Sequence, residues 1–278
     1  MTITSVPATR RTIHRPTRFG PLLHFLEHQL LRFRSTFRGT VITGATGPLL
    51  YLLGIGIGIG SQVDAEASQL GTTDYLTYVG PGLMAAAAMQ LAGSESLWQT
   101  GGLLKWQGVY VSLTSTPLSI GQLFTGHVLW IGFRVFVASV LFLLVLLPFG
   151  VVEQPLAILA PFAAVLTGMA FAAPISAWTG YVTSNGPGDQ SFPVILRLFI
   201  LPMYLFSGAF YPIEQLPEVL TWIGRVLPVW HGVQLCRGLI IDNGLTLAAA
   251  SGHVLVLGLY VVVGVVAGGW TFTKALGS

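Results

Sequence analysis

Glu95, Arg134 and Arg197 are ionisable residues that fall inside long apolar runs, which is where a charge has most to do. An unpaired charge deep in lipid costs about 2.5–3.5 kcal/mol or more, so each must find a partner or a wet cavity. Glu95 and Arg134 are placed to pair, which would pin two neighbouring spans; the same charges could instead bind cargo or relay an ion. The other reactive groups build no catalytic or metal centre. The six histidines are scattered, with none at the HExxH spacing that puts two ligands on one helical face, and His127 and His253 read as packing residues. The single cysteine, Cys236, excludes an intramolecular disulfide and a cysteine metal cluster. A membrane enzyme would need clustered Ser/His/Asp groups or paired carboxylates at one face, and only His231 and Asp242 come near that. The run LGIGIGIG (53–60) lacks the preceding strand and the Lys-Ser/Thr of a phosphate-binding loop. Its pairs Gly54/Gly58 and Gly56/Gly60 have instead the small-xxx-small spacing that lets helices approach closely in lipid.

The elements that hold these residues are membrane spans. Hydrophobic residues make up 53% of the 278-residue chain and charged ones 8%, with a mean hydropathy of +0.74. A soluble domain needs roughly 25% charged residues to cover its surface, so most of this surface faces something other than water. A span takes about 20 apolar residues, and the runs 40–61, 75–97, 122–148, 157–182, 192–209 and 249–272 qualify. Arg10, Arg11, Arg15, Arg18, Arg32, Arg34 and Arg38 precede the first of them, which places the N-terminus in the cytoplasm under the positive-inside rule. Six spans return the C-terminus to that side with Lys105 and Lys274, leaving Arg225 and Arg237 outside.

Residues 1–19 are rich in Thr, Arg and Pro without apolar periodicity and read as a disordered tail. From Pro21 onward, Leu22, Leu26, Leu30, Phe33 and Phe37 recur at helical spacing opposite His24, Glu27, His28, Arg34 and Arg38. Such a helix suits the inner headgroup layer; a soluble helix packed on a partner has the same pattern. The expected organisation is a single domain, 1–278, with a tail at 1–19, an amphipathic interfacial helix at 20–38 and a six-span bundle at 39–278.

Two non-spanning segments carry the mechanism. Residues 97–124, LWQTGGLLKWQGVYVSLTSTPLSIGQLF, hold a Gly-Gly expected to break the helix, a short helical stretch, and a turn at Thr116-Pro117. Leu103, Trp106, Tyr110 and Leu113 form an apolar, aromatic stripe, suited to a groove on a partner or to rest on lipid. The second segment, 210–232, is FYPIEQLPEVLTWIGRVLPVWHG. Leu216, Val219, Leu220, Ile223, Val226 and Leu227 make one face, and Glu214, Glu218, Thr221 and Arg225 the other. This is an amphipathic helix at the outer face, broken by Pro228. A re-entrant hairpin survives there only where protein or water satisfies its backbone, so the segment reads as a lid over the outer end. His231 and Arg237 would bond carbonyls freed by the break, or sense an anionic headgroup.

The six-span layout, the TPLS after the cytoplasmic helix, and FSGAFYPIEQLP…LPVWHGVQLCRG resemble ABC-2-type exporter permeases. The similarity is to the nodulation lipo-oligosaccharide and daunorubicin-resistance-type subgroup, and it covers nearly the whole chain from Pro21. Pro228, Val229, His231 and Arg237 fit the family pattern, with Leu216-Pro217 upstream, while Phe206 departs from the small or aliphatic residue expected before Ser207. The resemblance implies the permease subunit of an ATP-driven exporter, moving an amphipathic or hydrophobic cargo (a drug, lipid, lipo-oligosaccharide or glycan) by alternating access. It implies ABC ATPase subunits as partners, holding ATP and Mg, since this chain has no GxxxxGK[ST] and is expected to bind no cofactor itself. It also implies a second permease copy or paralogue, surrounding membrane lipids, and no nucleic acid. The helix between spans two and three becomes a coupling helix, with Lys105, Trp106, Gln107, Tyr110, Thr116 and Pro117 as ATPase contacts. Tyr51, Met84, Met89, Met203, Phe206 and Phe210 stand near the implied path and gate, and they equally suit ordinary packing. The expected fold is thus an all-α integral membrane protein of the cytoplasmic membrane: six transmembrane helices, an N-terminal interfacial helix, a cytoplasmic coupling helix, an outer re-entrant hairpin (Pro228, His231, Arg237), and both termini cytoplasmic. The alternative is an ion-driven secondary transporter or channel, against which stand the lack of an inverted repeat and of an acidic residue at mid-bilayer.

Overall fold

The computed structural model describes residues 20–54, 75–113, 115–186, 188–241 and 244–276, and every regular element among them is helical. The expected tail 1–19, most of the LGIGIGIG run and Asp242 lie outside the described residues. Helix α1 runs Gly20–Leu53 as one rod of 34 residues, about 51 Å at 1.5 Å per residue. The separate interfacial helix and first span expected from the pattern are therefore a single element. The glycine at their junction, Gly39, costs a helix only about 1 kcal/mol, too little to stop it.

Helix α2 (Tyr75–Ser94) continues through two π-turns, Glu95–Gln99 and Gly102–Trp106. The break expected at Gly101-Gly102 does not occur. A Cβ on Gly101 would sit 2.6 Å from the Phe192 ring, so the glycine is there to let Phe192 close on the helix. The chain turns only at Gly108 (φ 60). A one-turn α3 (Val109–Leu113) follows, then α4 (Ile120–Leu146), opened by a reciprocal Ser119–Gln122 capping box. Next come α5 (Ala160–Ser184), α6 (Phe192–Ile195), a π-turn (Leu196–Ile200) and α7 (Leu201–Leu205). Helices α8 (Glu218–Val226), α9 (Pro228–Ile240) and α10 (Leu247–Leu276) complete the order.

Among the described residues three helical stretches are long and apolar enough to cross a membrane: Ile120–Phe149, Pro155–Ser184 and Leu247–Leu276. They contain the runs expected at 122–148, 157–182 and 249–272. The run expected at 192–209 is helical only to Leu205. At 1.5 Å per residue it reaches about 21 Å, short of the roughly 30 Å of hydrocarbon.

Helix α5 is the hub, packed by α10, α4, α2 and α9, while α1 lies against α4. Hydroxyls bind α2 to α5: Ser96 Oγ donates to Ala172 O at 3.2 Å, and Thr179 Oγ1 donates to Ser96 O at 3.0 Å. Such interhelical bonds contribute about 0.6 kcal/mol each on average. Leu83, Met84, Met89, Ile131 and Val135 belong to one large core. A second cluster gathers Phe25, Tyr110, Phe124 and Phe272, so the start of α1 and the finish of α10 lie at the same end of the bundle.

Candidate functional site

The turn between α2 and α4 is fastened from within. The Tyr110 hydroxyl meets His127 Nδ1 at 2.6 Å, and His127 Nε2 meets Thr100 Oγ1 at 2.7 Å. Thr100 Oγ1 in turn lies 3.4 Å from Ser176 Oγ. Tyr110, His127, Thr100 and Ser176 are all fully buried, so this polar chain crosses α3, α4, α2 and α5. A neutral imidazole has one N–H and one lone pair, which lets the chain run as donor to acceptor in either direction. Burial pushes the Tyr110 phenol above its ordinary pKa and keeps it neutral. Tyr110 also packs on Phe272 at 6.1 Å. Its expected place on a partner-facing surface is corrected, because the turn at Gly108 rotates it inward.

The outward side of the turn carries Lys105, Trp106, Gln107, Thr116 and Pro117, all exposed. Lys105 Nζ donates to Asp189 Oδ1 at 3.0 Å and to Gly186 O at 3.3 Å. The Lys105 hydrogen bond holds the Asp189 carboxyl below its ordinary value. The contact is therefore present above the usual aspartate pKa and is lost as pH falls through the depressed one. Trp98 stands edge-on to Phe192 at 5.7 Å and lies 6.2 Å from Trp106. Two partly exposed tryptophans beside a cation make the kind of surface on which protein contacts concentrate.

Arg134 Nη1 donates to Glu95 Oε2, joining α4 to the first π-turn after α2. Arg134 Nε and Gln99 Oε1 are buried without a partner among the described residues, so the charge is balanced while the polar site is not saturated. Arg197 is exposed on its π-turn. Of the residues assigned to a path, Tyr51 has a side chain outside the described residues. Met84 and Met89 are buried in the core. Met203 lines an apolar cleft of about 330 Å³, with Phe171, Trp178, Pro228 and Tyr260. Phe206 is 38% exposed, and Phe210 packs against Tyr204 at 5.4 Å.

After α7 the backbone is irregular from Phe206 to Pro212, and non-helical backbone away from water needs partners inside the protein. Arg237 supplies them. Its Nη2 donates to Gly208 O at 3.1 Å and its Nε to Tyr78 O at 3.4 Å, with the guanidinium carbon 3.9 Å from the Tyr78 ring centroid. Ser207 Oγ accepts from Ala209 N at 3.1 Å, and the Tyr75 hydroxyl donates to Phe210 O at 3.0 Å. Gly208 takes φ 78, a conformation open to glycine at no steric cost. Carbonyl bonding thus describes Arg237, although the carbonyls belong to this turn and to α2 rather than to the Pro228 break. His231 meets the Arg225 backbone in the last turn before Pro228, as expected of a residue at the break, and its Nδ1 also lies 2.8 Å from His253 Nδ1 on α10. Of the hairpin, α9 is inserted against α2, α5 and α10. Only α8 stays outside, with Val219, Trp222, Ile223 and Val226 exposed.

Thr100, Ser176, Asp189, Tyr78 and Gly208 were not legible as site residues. Thr100 and Ser176 are 76 positions apart, and Arg237 and Tyr78 are 159 apart, so no local spacing links them. The one signal was a hydroxyl inside an apolar run. No group of three or more His, Cys, Asp or Glu residues that could hold a metal occurs among the described residues.

Comparison with known sequences adds a second line. Residues 23–241 match the family described as ABC-2 type transporter, a range that contains the buried polar chain, the turn and the hairpin. The chain is similar to nodulation protein J of Sinorhizobium fredii (strain NBRC 101917 / NGR234), 26% identical over 212 residues, covering 73% of this chain and 75% of that protein. Nodulation protein J of Rhizobium leguminosarum bv. trifolii is 28% identical over 224 residues, covering 78% and 79%. That of Rhizobium leguminosarum bv. viciae is 26% identical over 241 residues, covering 84% and 86%.

Proposed function

The chain belongs to the ABC-2 type transporter family, and on that premise we propose that it is the permease subunit of an exporter driven by separate ABC ATPase subunits. Two permeases, this chain twice or with a paralogue, would stand over two ATPases. Six spans would be made by α1, α2, α4, α5, the 192–205 stretch with its hairpin, and α10, with both termini in the cytoplasm beside the basic residues. ATP and Mg would sit on the partner.

The observation that carries this reading is the buried Tyr110–His127–Thr100–Ser176 chain. It makes the exposed turn mechanically continuous with three long helices. A push on Trp106, Gln107 and Thr116-Pro117 would move α4, α2 and α5 together, and α5 bears α9, whose Arg237 holds the 206–212 turn. The outer end would then open as the ATPases close, which is alternating access. The cargo would be amphipathic or hydrophobic, a drug, lipid, lipo-oligosaccharide or glycan, and the cleft at Met203 offers a place for an apolar portion.

The test is purification from the native membrane followed by ATPase assay, with Trp106→Ala and Tyr110→Phe. A stoichiometric ATPase is expected with the wild type. Trp106→Ala should weaken its retention, and Tyr110→Phe should keep it bound but uncouple hydrolysis from cargo. Recovery of the chain alone at every stage would refute the assignment and favour ion-driven transport.

A further inference from the structure

At the end of the bundle where α1 begins, a cleft of about 670 Å³ opens between the first turns of α1 and the α2–α4 turn. Tyr110, Thr116 and Pro117 of the turn border it, but the transport cycle proposed above assigns it no ligand. Its two walls differ in chemistry. From α1 come His24, His28 and Arg32, at i, i+4 and i+8 and hence on one face, with Gln29 beside them. The opposite wall is apolar: Leu103, Val109, Leu113 and Leu118, with Phe25 between. Gln29 is only 5% exposed and lines the cleft beside the histidines and Arg32. Glu27 lies 3.5 Å from His24 Nδ1 but does not line the cleft.

We propose that the cleft binds the headgroup of an anionic phospholipid from the surrounding leaflet. Arg32, His28 and the Gln29 amide would hold the phosphate, and the glycerol and first methylenes would lie on the apolar wall. A donor-rich wall facing an apolar one fits an anionic amphiphile, whereas free phosphate would leave the apolar wall wet. The chain's own N-terminal residues are a poor occupant, since 1–19 carry Arg10, Arg11, Arg15 and Arg18 and no acidic residue. Lys105, Trp106 and Gln107 stand outside the cleft while Thr116 and Pro117 line it, so an ATPase segment is the competing occupant, and its binding there would expel the lipid.

The experiment is native mass spectrometry of the full chain in neutral detergent, alone and with its ATPase, after adding phosphatidylglycerol, phosphatidylcholine or inorganic phosphate. Phosphatidylglycerol should be retained in preference to phosphatidylcholine, whose choline carries the same charge as Arg32. Arg32→Ala and His28→Ala should each weaken retention about tenfold, the effect of losing one charge-assisted bond. Arg34→Ala removes the same charge from an exposed position outside the cleft and should leave retention unchanged. An equal loss with Arg34→Ala would mean diffuse attraction and would overturn the site. So would unaltered retention in Arg32→Ala, displacement of the lipid by inorganic phosphate, or expulsion of the lipid whenever the ATPase binds. The site requires only that the chain sit in a membrane, so failure to recover an ATPase would sink the exporter reading and leave this one standing.

Discussion

Single polar residues in apolar helices must be satisfied in pairs, and the pairs decide what each substitution does. Glu95→Gln leaves Arg134 without its counter-charge, and Arg134→Met leaves Glu95 alone. Fully buried pairs lose about 3–5 kcal/mol when one partner goes; with Arg134 24% and Glu95 15% exposed, the loss here should be nearer 2 kcal/mol. The double variant should recover most of it, read as thermal unfolding of the detergent-solubilised protein in a double-mutant cycle. Additive losses would show that the two charges act independently. This pair was legible, because two opposite charges in adjacent apolar runs have few other solutions. Tyr110 was not, because helical spacing carried it onto the face of Trp106 while the turn at Gly108 separates the two.

Elements follow from contact as much as from propensity. Gly101-Gly102 looks like a stop signal, yet the helix passes through it on π-turns with Phe192 seated on Gly101. Gly101→Val is therefore expected to destabilise the protein by about 1–3 kcal/mol through overpacking, although valine is the better helix residue. Adding Phe192→Ala should restore part of the loss in unfolding temperature. A stabilised single variant would mean that the glycine serves to break the helix after all. The continuity of α1 was hidden for a related reason: apolar periodicity reports which face is buried and not whether two faces share one axis. The 192–205 stretch looked long enough to span because hydropathy continues through Phe206 and Ala209, while the backbone turns there and is held by Arg237.

For the whole molecule, the start of α1 and the finish of α10 share one end. With Cys236 replaced by Ser, single cysteines at His24 and at Lys274 should both react with a membrane-impermeant thiol reagent only in inside-out vesicles. A cysteine at Glu218 should react only in right-side-out ones. Labelling of His24 and Lys274 from opposite sides would refute an even number of spans. Composition and apolar run length are properties of short windows, and so are the TPLS and LPVWHGVQLCRG motifs; from these the sequence alone determined a helical membrane protein of the ABC-2 type. The tertiary structure alone decided that Tyr110 faces inward to His127, that Met84 and Met89 are core, and that Arg237 secures the turn at Gly208. Those outcomes depend on hydrogen bonds and packing between residues far apart in the chain, and no local period or spacing records such contacts.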